Sequence, residues 1–215
     1  MITTVIFDMN GVITDDEDLH ELATKEVFRD IGVGLTSENY KTFCLGRTDL
    51  AAFKDLFDKF AIEKESIGDL IAKKSFKYQK LIQGNLKVYP GVIQLIKDLY
   101  KNYTLALTSS STFDEVQLVM DQLRLKKYFK VIVTSKDVKH GKPHPEPYLL
   151  TAKKMNVKSE NCLVIEDSKN GIQSAKKAGM ICIAISNTED RNKLNEADQI
   201  FDNYTDITNK FIRQL

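Results

Sequence analysis

The stretch "VIFDMNGVITDDE", residues 5–17, is compatible with two different folds. Asn-Gly between runs of β-branched and aromatic residues is the strongest short signal for a β-hairpin, because both residues tolerate positive φ. In the alternative, Asp8 ends an apolar strand of a parallel sheet, at the edge where such sheets bind ligands. The remaining sequence decides between the two interpretations.

That remaining sequence favours the parallel sheet. Short apolar runs of this kind suit strands that are buried on both faces. Strand-like and helix-like segments alternate, which predicts a Rossmann-like open α/β sheet. The strand-like runs are residues 4–7, 104–107, 131–133, 162–165 and 181–185, and the helical patterns between them are residues 114–125, 146–155 and 169–180.

One long segment breaks this alternation. From residue 16 onward the apolar residues recur at helical spacing, as in "LHELATKEVFRDIGV" and "LAAFKDLFDKFAI", and no convincing strand appears. We expect a helical bundle inserted after the first strand, with two adjacent linkers that let it act as a lid. The prediction is an α/β core of residues 1–15 and 87–215 and a helical cap of residues 16–86.

Composition and charge exclude several classes of protein. With 31 Lys and Arg against 30 Asp and Glu, the net charge of +1 gives no footprint for nucleic acid. No apolar run is long enough to cross a membrane, and we expect no signal peptide, because the sequence enters a strand pattern at once. The scattered Cys44, Cys162 and Cys182 indicate buried thiols rather than disulfides or a thiolate metal site. We therefore expect a cytoplasmic monomer.

The chemistry is predicted to lie where the strands end. Asp8, residues 108–111 and the pair Glu166 and Asp167 each follow a strand, and Lys142 lies in the loop "HGKPHPEPY" before a helix. Three carboxylates in one crevice need a cation, and oxygen ligands beside a phosphate suit Mg²⁺. Hydroxyl groups, backbone N–H groups and a lysine suit a phosphoryl group. This combination indicates phosphoryl transfer.

Four motifs in this order carry a family resemblance: "VIFDMNGVITDDEDLH", "LALTSSS", "HGKPHPEPY" and "CLVIEDSKNGIQSAKKAGM". Together they span the chain, and the sequence resembles the haloacid dehalogenase superfamily, in its β-phosphoglucomutase-like branch of phosphatases and phosphomutases. The resemblance implies Mg²⁺-dependent transfer through an aspartyl phosphate on a small phosphorylated metabolite. The implied roles are nucleophile for Asp8, phosphoryl binding for Ser109 and Lys142, and Mg²⁺ binding for Asp8, Asp167, the backbone carbonyl of Asn10 and, in support, Glu166.

The resemblance extends into the helical segment. His20, Arg47 in "LGRTD" and Lys74 in "KKSFKYQK" are similar to family residues that contact substrate or orient the proton-transfer group. Lys73 is the alternative to Lys74 in this alignment. The acidic run "DDEDLHE" is interpreted as a helix start, because acids in a first turn interact favourably with the helix dipole.

Asn10 departs from the family pattern. Family phosphatases and phosphomutases carry an aspartate two residues after the nucleophile, which protonates the leaving oxygen and later accepts a proton. Asparagine does neither, and a positioned acid–base group contributes roughly 10²- to 10⁴-fold to the rate. The sequence thus predicts a phosphatase or phosphomutase with impaired turnover, most so for sugar leaving groups.

Asn10 is also compatible with two different functions. One is a non-catalytic phosphometabolite binder, and the other is a phosphonate hydrolase with a Schiff-base lysine at Lys41, Lys54 or Lys74. A dehalogenase is not expected to retain this cap and these acids. The asparagine is either natural or introduced to trap a complex, and Asn-Gly is prone to deamidation, which would restore some aspartate.

Overall fold

The computed structural model describes residues 1–215 and contains one six-stranded, fully parallel sheet. The strand order is β3-β2-β1-β4-β5-β6. The strands are β1 (Thr4–Phe7), β2 (Thr104–Thr108), β3 (Phe129–Val133), β4 (Cys162–Glu166), β5 (Ile181–Ile185) and β6 (Gln199–Phe201). The helices are α1 (Glu17–Asp30), α2 (Ser37–Phe43), α3 (Asp49–Phe60), α4 (Ile67–Leu81), α5 (Val92–Tyr100), α6 (Phe113–Gln122), α7 (Glu146–Met155), α8 (Lys169–Lys177) and α9 (Asn209–Ile212).

The direction in which strands are added reverses beside β1. The chain first builds outward through β2 and β3, then returns to place β4 on the other side of β1 and continues outward to β6. In open α/β sheets, ligands bind outside the carboxyl ends of the strands at such a reversal. The ends of β1 and β4 are therefore where a site is expected.

The two faces of the sheet are covered by different helices. Alternate residues of each strand point to opposite faces, so Val5 and Phe7 pack in one apolar cluster with α5 and α6. Ile6 lies in the second cluster, with residues of α7 and α8. Burial on both faces explains why the strands read as continuous apolar runs rather than as alternating ones.

Helices α1 to α4 all lie between β1 and α5 in the sequence. They bury an apolar cluster of their own, separate from the two on the sheet, that includes Phe28, Phe53, Leu56 and Leu70. The amphipathic spacing noted in the sequence is therefore satisfied within the helical segment. The boundaries proposed for a cap domain, residues 16–86, stay a prediction.

The predicted α/β fold with an inserted helical segment is confirmed, whereas the hairpin interpretation of residues 5–17 is wrong. β1 pairs in parallel with β2 and β4 and has no antiparallel partner. Asn-Gly still forms a turn after the strand, with Gly11 at φ +79°. The short strand β6 was not predicted, because three residues are too few to show a periodic pattern. None of the helices combines the length and apolar character needed to cross a membrane.

Candidate active site

Two neighbouring strands and one loop bring three charged side chains together. Asp8 follows β1, Glu166 ends β4, and Lys142 lies in the loop before α7. The Lys142 Nζ is 2.6 Å from Asp8 Oδ1 and 2.5 Å from Glu166 Oε1, and all three residues are buried. This group lies at the carboxyl ends of β1 and β4, where the sheet topology places a ligand.

Both carboxylate oxygens of Glu166 accept hydrogen bonds from neighbouring groups, so neither is free. Burial raises the pKa of its carboxyl, but the Lys142 ammonium more than offsets this and holds the pKa below its usual value. Gly171 leaves room for the side chain, since a Cβ there would lie 1.8 Å from Oε1. Oε1 accepts from Lys142 and from the Tyr148 hydroxyl at 2.7 Å, and Oε2 accepts from the Asp167 N–H at 3.0 Å and from the N–H and Oγ of Ser168.

Asp167, unlike Asp8 and Glu166, has no basic partner. Ligand oxygens of Asp8, Asp167 and Glu166 all lie within 4.8 Å of one another, and no Lys or Arg pairs with Asp167. Burial and the neighbouring carboxylates raise the pKa of Asp167 well above its usual value. Burial also raises the pKa of Asp8 to about 7, against the opposing effect of Lys142.

These oxygen donors fit a divalent cation. A cation between Asp8 and Asp167 would offset the negative charge of Glu166 and Asp8 that, after burial, raises the pKa of Asp167, and hard oxygen donors suit Mg²⁺. Gly11 is part of the same arrangement, because a Cβ at this position would lie 1.8 Å from Asp167 Oδ2. The turn after β1 therefore brings its backbone directly against the acid.

The three serines after β2 have different surroundings. Ser109 does not line the cavity, and its Oγ accepts from the Ser111 N–H at 3.1 Å. Ser110 and Ser111 line the cavity, and the Oγ of Ser110 is buried without a hydrogen-bond partner. The phosphoryl-binding role assigned to Ser109 stays a prediction, and Ser110, which resembles a simple turn residue in the sequence, offers the free hydroxyl.

Asn10 is held by side chains from two other segments, the start of α1 and the loop after β2. Its Nδ2 donates to both carboxylate oxygens of Asp16 at 3.1 Å and lies 3.0 Å from His20 Nε2. Its Oδ1 accepts from the Ser111 hydroxyl at 2.7 Å. The backbone N–H of Gly11 donates to the Thr14 carbonyl at 2.9 Å, so the nitrogen that would attack in deamidation is engaged.

Lys74, rather than Lys73, enters this network, since Lys73 is exposed. The Lys74 Nζ donates to His20 Nδ1 at 2.9 Å and pairs with Asp49 at 3.1 Å and Glu115 at 3.3 Å. Burial lowers the pKa of Lys74, but the two carboxylates outweigh it and hold the pKa above its usual value. Burial and the Lys74 charge together lower the pKa of His20 well below its usual range, so the imidazole is neutral.

The remaining cavity wall comes from α1 and the α2–α3 connection. Arg47 lines the cavity, and its guanidinium pairs with Asp55 at 2.8 Å and donates to the Phe43 carbonyl. Glu17 also lines it and accepts from the Tyr40 hydroxyl at 2.6 Å. These walls enclose a cavity that is partly open to solvent.

Sequence reasoning missed four members of this arrangement: Asp16, Glu17, Tyr78 and Glu115. Asp16 and Glu17 belong to the acidic run that does start α1, as predicted, but Asp16 makes no capping bond and is fully buried. Tyr78 stacks on His20 with ring centroids 3.8 Å apart and donates to Asp16. The available signal was the density of acids before an apolar helix, which exceeds what one helix start needs.

Comparison with known proteins identifies the family of the chain. Residues 5–185 match the sequence profile of the family described as haloacid dehalogenase-like hydrolase. The chain belongs to the haloacid dehalogenase-like hydrolases. The predicted resemblance is thereby confirmed for most of the chain.

Individual relatives indicate the branch of the family to which the chain belongs. A phosphorylated carbohydrates phosphatase of Thermotoga maritima is 34% identical over 82% of this chain and 81% of its own length. A fructose-1-phosphate phosphatase of Escherichia coli is 27% identical over 84% and 95% of the two chains. The crystal structure of a β-phosphoglucomutase from Clostridium difficile superposes with a TM-score of 0.86, at 25% identity over 100% and 96%. The chain thus belongs to the β-phosphoglucomutase-like branch.

Proposed function

We propose that this hydrolase transfers phosphoryl groups through Asp8, as a Mg²⁺-dependent phosphatase or phosphomutase of small sugar phosphates. The observation that carries the proposal is the contact of a buried Asp8 with Lys142, beside the unpaired carboxylate of Asp167. The names of the Thermotoga maritima and Escherichia coli relatives support a phosphorylated sugar as substrate.

Each core residue has a distinct task in this proposal. The Asp8 carboxylate attacks phosphorus to form an aspartyl phosphate, and Lys142 balances the negative charge on the phosphoryl oxygens. The unpartnered Ser110 hydroxyl donates to one of these oxygens, together with Ser109 as the family resemblance implies. Mg²⁺ would be held by Asp8, Asp167 and the Asn10 carbonyl with Glu166 in support, and when bound it supplies positive charge at the transferring phosphoryl group.

The inserted helices would hold the sugar. Arg47 and Lys74 supply positive charge on this side of the cavity, and His20 is held between Lys74 and Asn10. Asn10 cannot protonate the leaving oxygen as the family aspartate does. A leaving group that departs unprotonated, such as a nitrophenolate, is therefore expected to react faster than a sugar alkoxide.

The lysines of the inserted helices are poorly suited to phosphonate hydrolysis. A Schiff base requires a neutral lysine amine, whereas Lys74 is held as a cation by Asp49 and Glu115. Lys41 and Lys54 are exposed and do not line the cavity that contains Asp8. The competing class is a non-catalytic phosphometabolite binder, which the asparagine itself favours.

The test measures phosphate release from p-nitrophenyl phosphate and from hexose phosphates, with Mg²⁺ and with EDTA, for the native chain, Asp8→Asn and Asn10→Asp. We expect Mg²⁺-dependent release that D8N abolishes, and a gain of roughly 10²- to 10⁴-fold in N10D on hexose phosphates. Binding of hexose phosphate without turnover by the native chain or N10D would favour the binder.

A further inference from the structure

Glu17 presents an unengaged carboxylate oxygen in the same cavity as Asp8. It is the first residue of α1, and its Oε1 accepts from the Tyr40 hydroxyl at 2.6 Å. No protein group donates to Oε2, and no Lys or Arg pairs with Glu17. The free oxygen therefore remains available to a bound molecule.

The direction of phosphoryl transfer makes the position of Glu17 relevant. The attacking and leaving oxygens lie roughly in line across phosphorus, so the leaving oxygen of a phosphoryl group held at Asp8 points away from β1. Residues of the inserted helices form part of the wall of the cavity that contains Asp8, and Glu17 at the start of α1 is among them. A proton donor for the leaving oxygen is needed there.

The other residues on that side are poor donors. Asn10 has no proton to give at neutral pH, and neutral His20 has its two ring nitrogens against Asn10 and Lys74. Lys74 is a cation paired with two carboxylates, and Arg47 does not release its proton. Asp49 also lines the cavity, but its carboxylate pairs with Lys74.

We propose that Glu17 is the general acid and base of this site and performs the proton transfers that Asn10 cannot. This inference rests on the proposed function of Asp8. It predicts that the native chain turns over alkyl phosphates substantially and that N10D gains little, whereas the family pattern alone predicts an impaired native chain and a large gain in N10D.

The electrostatic surroundings of Glu17 support this role. Burial raises the pKa of Glu17 to about 7, where a group serves both as acid and as base. The hydroxyl of Tyr40 on α2 and the ammonium of Lys74 on α4 lower the pKa, and the carboxylates of Asp16 and Asp8 raise it. The other charged side chains on the cavity wall are Arg47, Asp49, Lys142 and Asp167.

The proton balance closes over two steps. An Asp8 oxygen bonds to phosphorus, the bond from phosphorus to the sugar oxygen breaks, and that oxygen takes the proton of Glu17 to leave as an alcohol. A water then gives a proton to the Glu17 carboxylate as its oxygen bonds to phosphorus, and the bond to Asp8 breaks to release phosphate. Glu17 ends protonated, as it began.

The experiment compares Glu17→Gln with the native chain on p-nitrophenyl phosphate and on a hexose phosphate. The glutamine keeps an oxygen for the Tyr40 hydroxyl, and Asp18→Asn, at the exposed neighbouring acid of the same helix turn, is the matched control. We expect E17Q to lower kcat on the hexose phosphate roughly 10²- to 10⁴-fold and to change kcat on the aryl phosphate less than about tenfold.

The pH dependence gives a second readout. In single turnovers of the native chain, cleavage of the alkyl ester should fall about tenfold per pH unit above about 7, because the protonated acid is depleted. In E17Q this fall in rate at high pH should be absent. In Tyr40→Phe the fall should begin at higher pH, because the Glu17 carboxylate loses a hydrogen bond that lowers its pKa.

Three results would overturn the inference. They are equal losses on both substrates, a changed KM with unchanged kcat, and an alkyl ester that the native chain does not cleave although it cleaves the aryl ester. If Asp49→Asn rather than E17Q removes the fall in rate at high pH, the acid is Asp49. The proposed function fails separately, when D8N still releases phosphate from the aryl ester.

Discussion

Asn10→Asp places a second carboxyl group against Asp16, and its effect on stability can be worked out. In the native chain the Asn10 amide donates to both Asp16 oxygens at 3.1 Å. In N10D two carboxylates with charge centres about 4 Å apart would replace this pair. At an effective dielectric constant of about 20, their repulsion is about 4 kcal/mol.

Because Asp16 is fully buried, solvent does not screen this repulsion. Two carboxyl groups this close share one proton, which is retained in the folded state to higher pH than in the unfolded chain. A folded-state pKa that is raised adds stability at low pH, and this stability is lost as pH rises. N10D should therefore be close to the native chain at about pH 5 and about 4 kcal/mol less stable at about pH 8.

The assay is urea unfolding of the native chain, N10D, Asp16→Asn and the double variant, at both pH values. The double variant exchanges the amide and the carboxylate and restores the hydrogen bond, so the double-mutant cycle isolates the pair. We expect a coupling free energy of about 4 kcal/mol at about pH 8 that falls below about 1 kcal/mol at about pH 5. A coupling that is small at both pH values would refute the reasoning.

Other predictions concern the metal site and its support. Mg²⁺ should raise the melting temperature of the native chain and have little effect on Asp167→Asn; an equal rise in both would place the ion elsewhere. Lys142→Met leaves Asp8 without its buried counter-charge and should lower the free energy of unfolding by about 3–5 kcal/mol at about pH 7, measured in urea. Gly11→Ala, with a Cβ 1.8 Å from Asp167 Oδ2, should destabilise the fold more than Gly32→Ala, where φ is +82° but no atom lies within 4 Å. Equal losses in both glycine variants, again in urea, would show that only the backbone conformation matters.

Much of the fold was readable from the sequence because its signals are local. Apolar runs buried on both faces predicted the five longer strands, and helical spacing predicted the inserted segment. The polar residues that end β1 and β4 were also identified, since parallel strands present their carboxyl ends at one edge. The three-residue β6 gave no such pattern.

The surroundings of each site residue depended on contacts between distant segments. Sequence alignment left Lys73 and Lys74 as alternatives, and packing of α4 against α6 selects Lys74 by placing it beside Glu115. The serine run gave no reason to prefer Ser110, whose hydroxyl is the one left without a partner. Helix-start acids look alike in a sequence, whether they are exposed or buried.

The stretch at residues 5–17 shows most clearly which features are set by local sequence and which are set by tertiary contacts. By itself it determined a strand, an acid at the end of the strand and a turn at Asn-Gly, because these depend on the conformational preferences of neighbouring residues. Only the tertiary structure decided that Asn10 donates to Asp16 and that Glu17 faces the cavity of Asp8. Those contacts depend on where the start of α1 lies relative to the turn after β1 and to the cavity, and no local pattern encodes that placement.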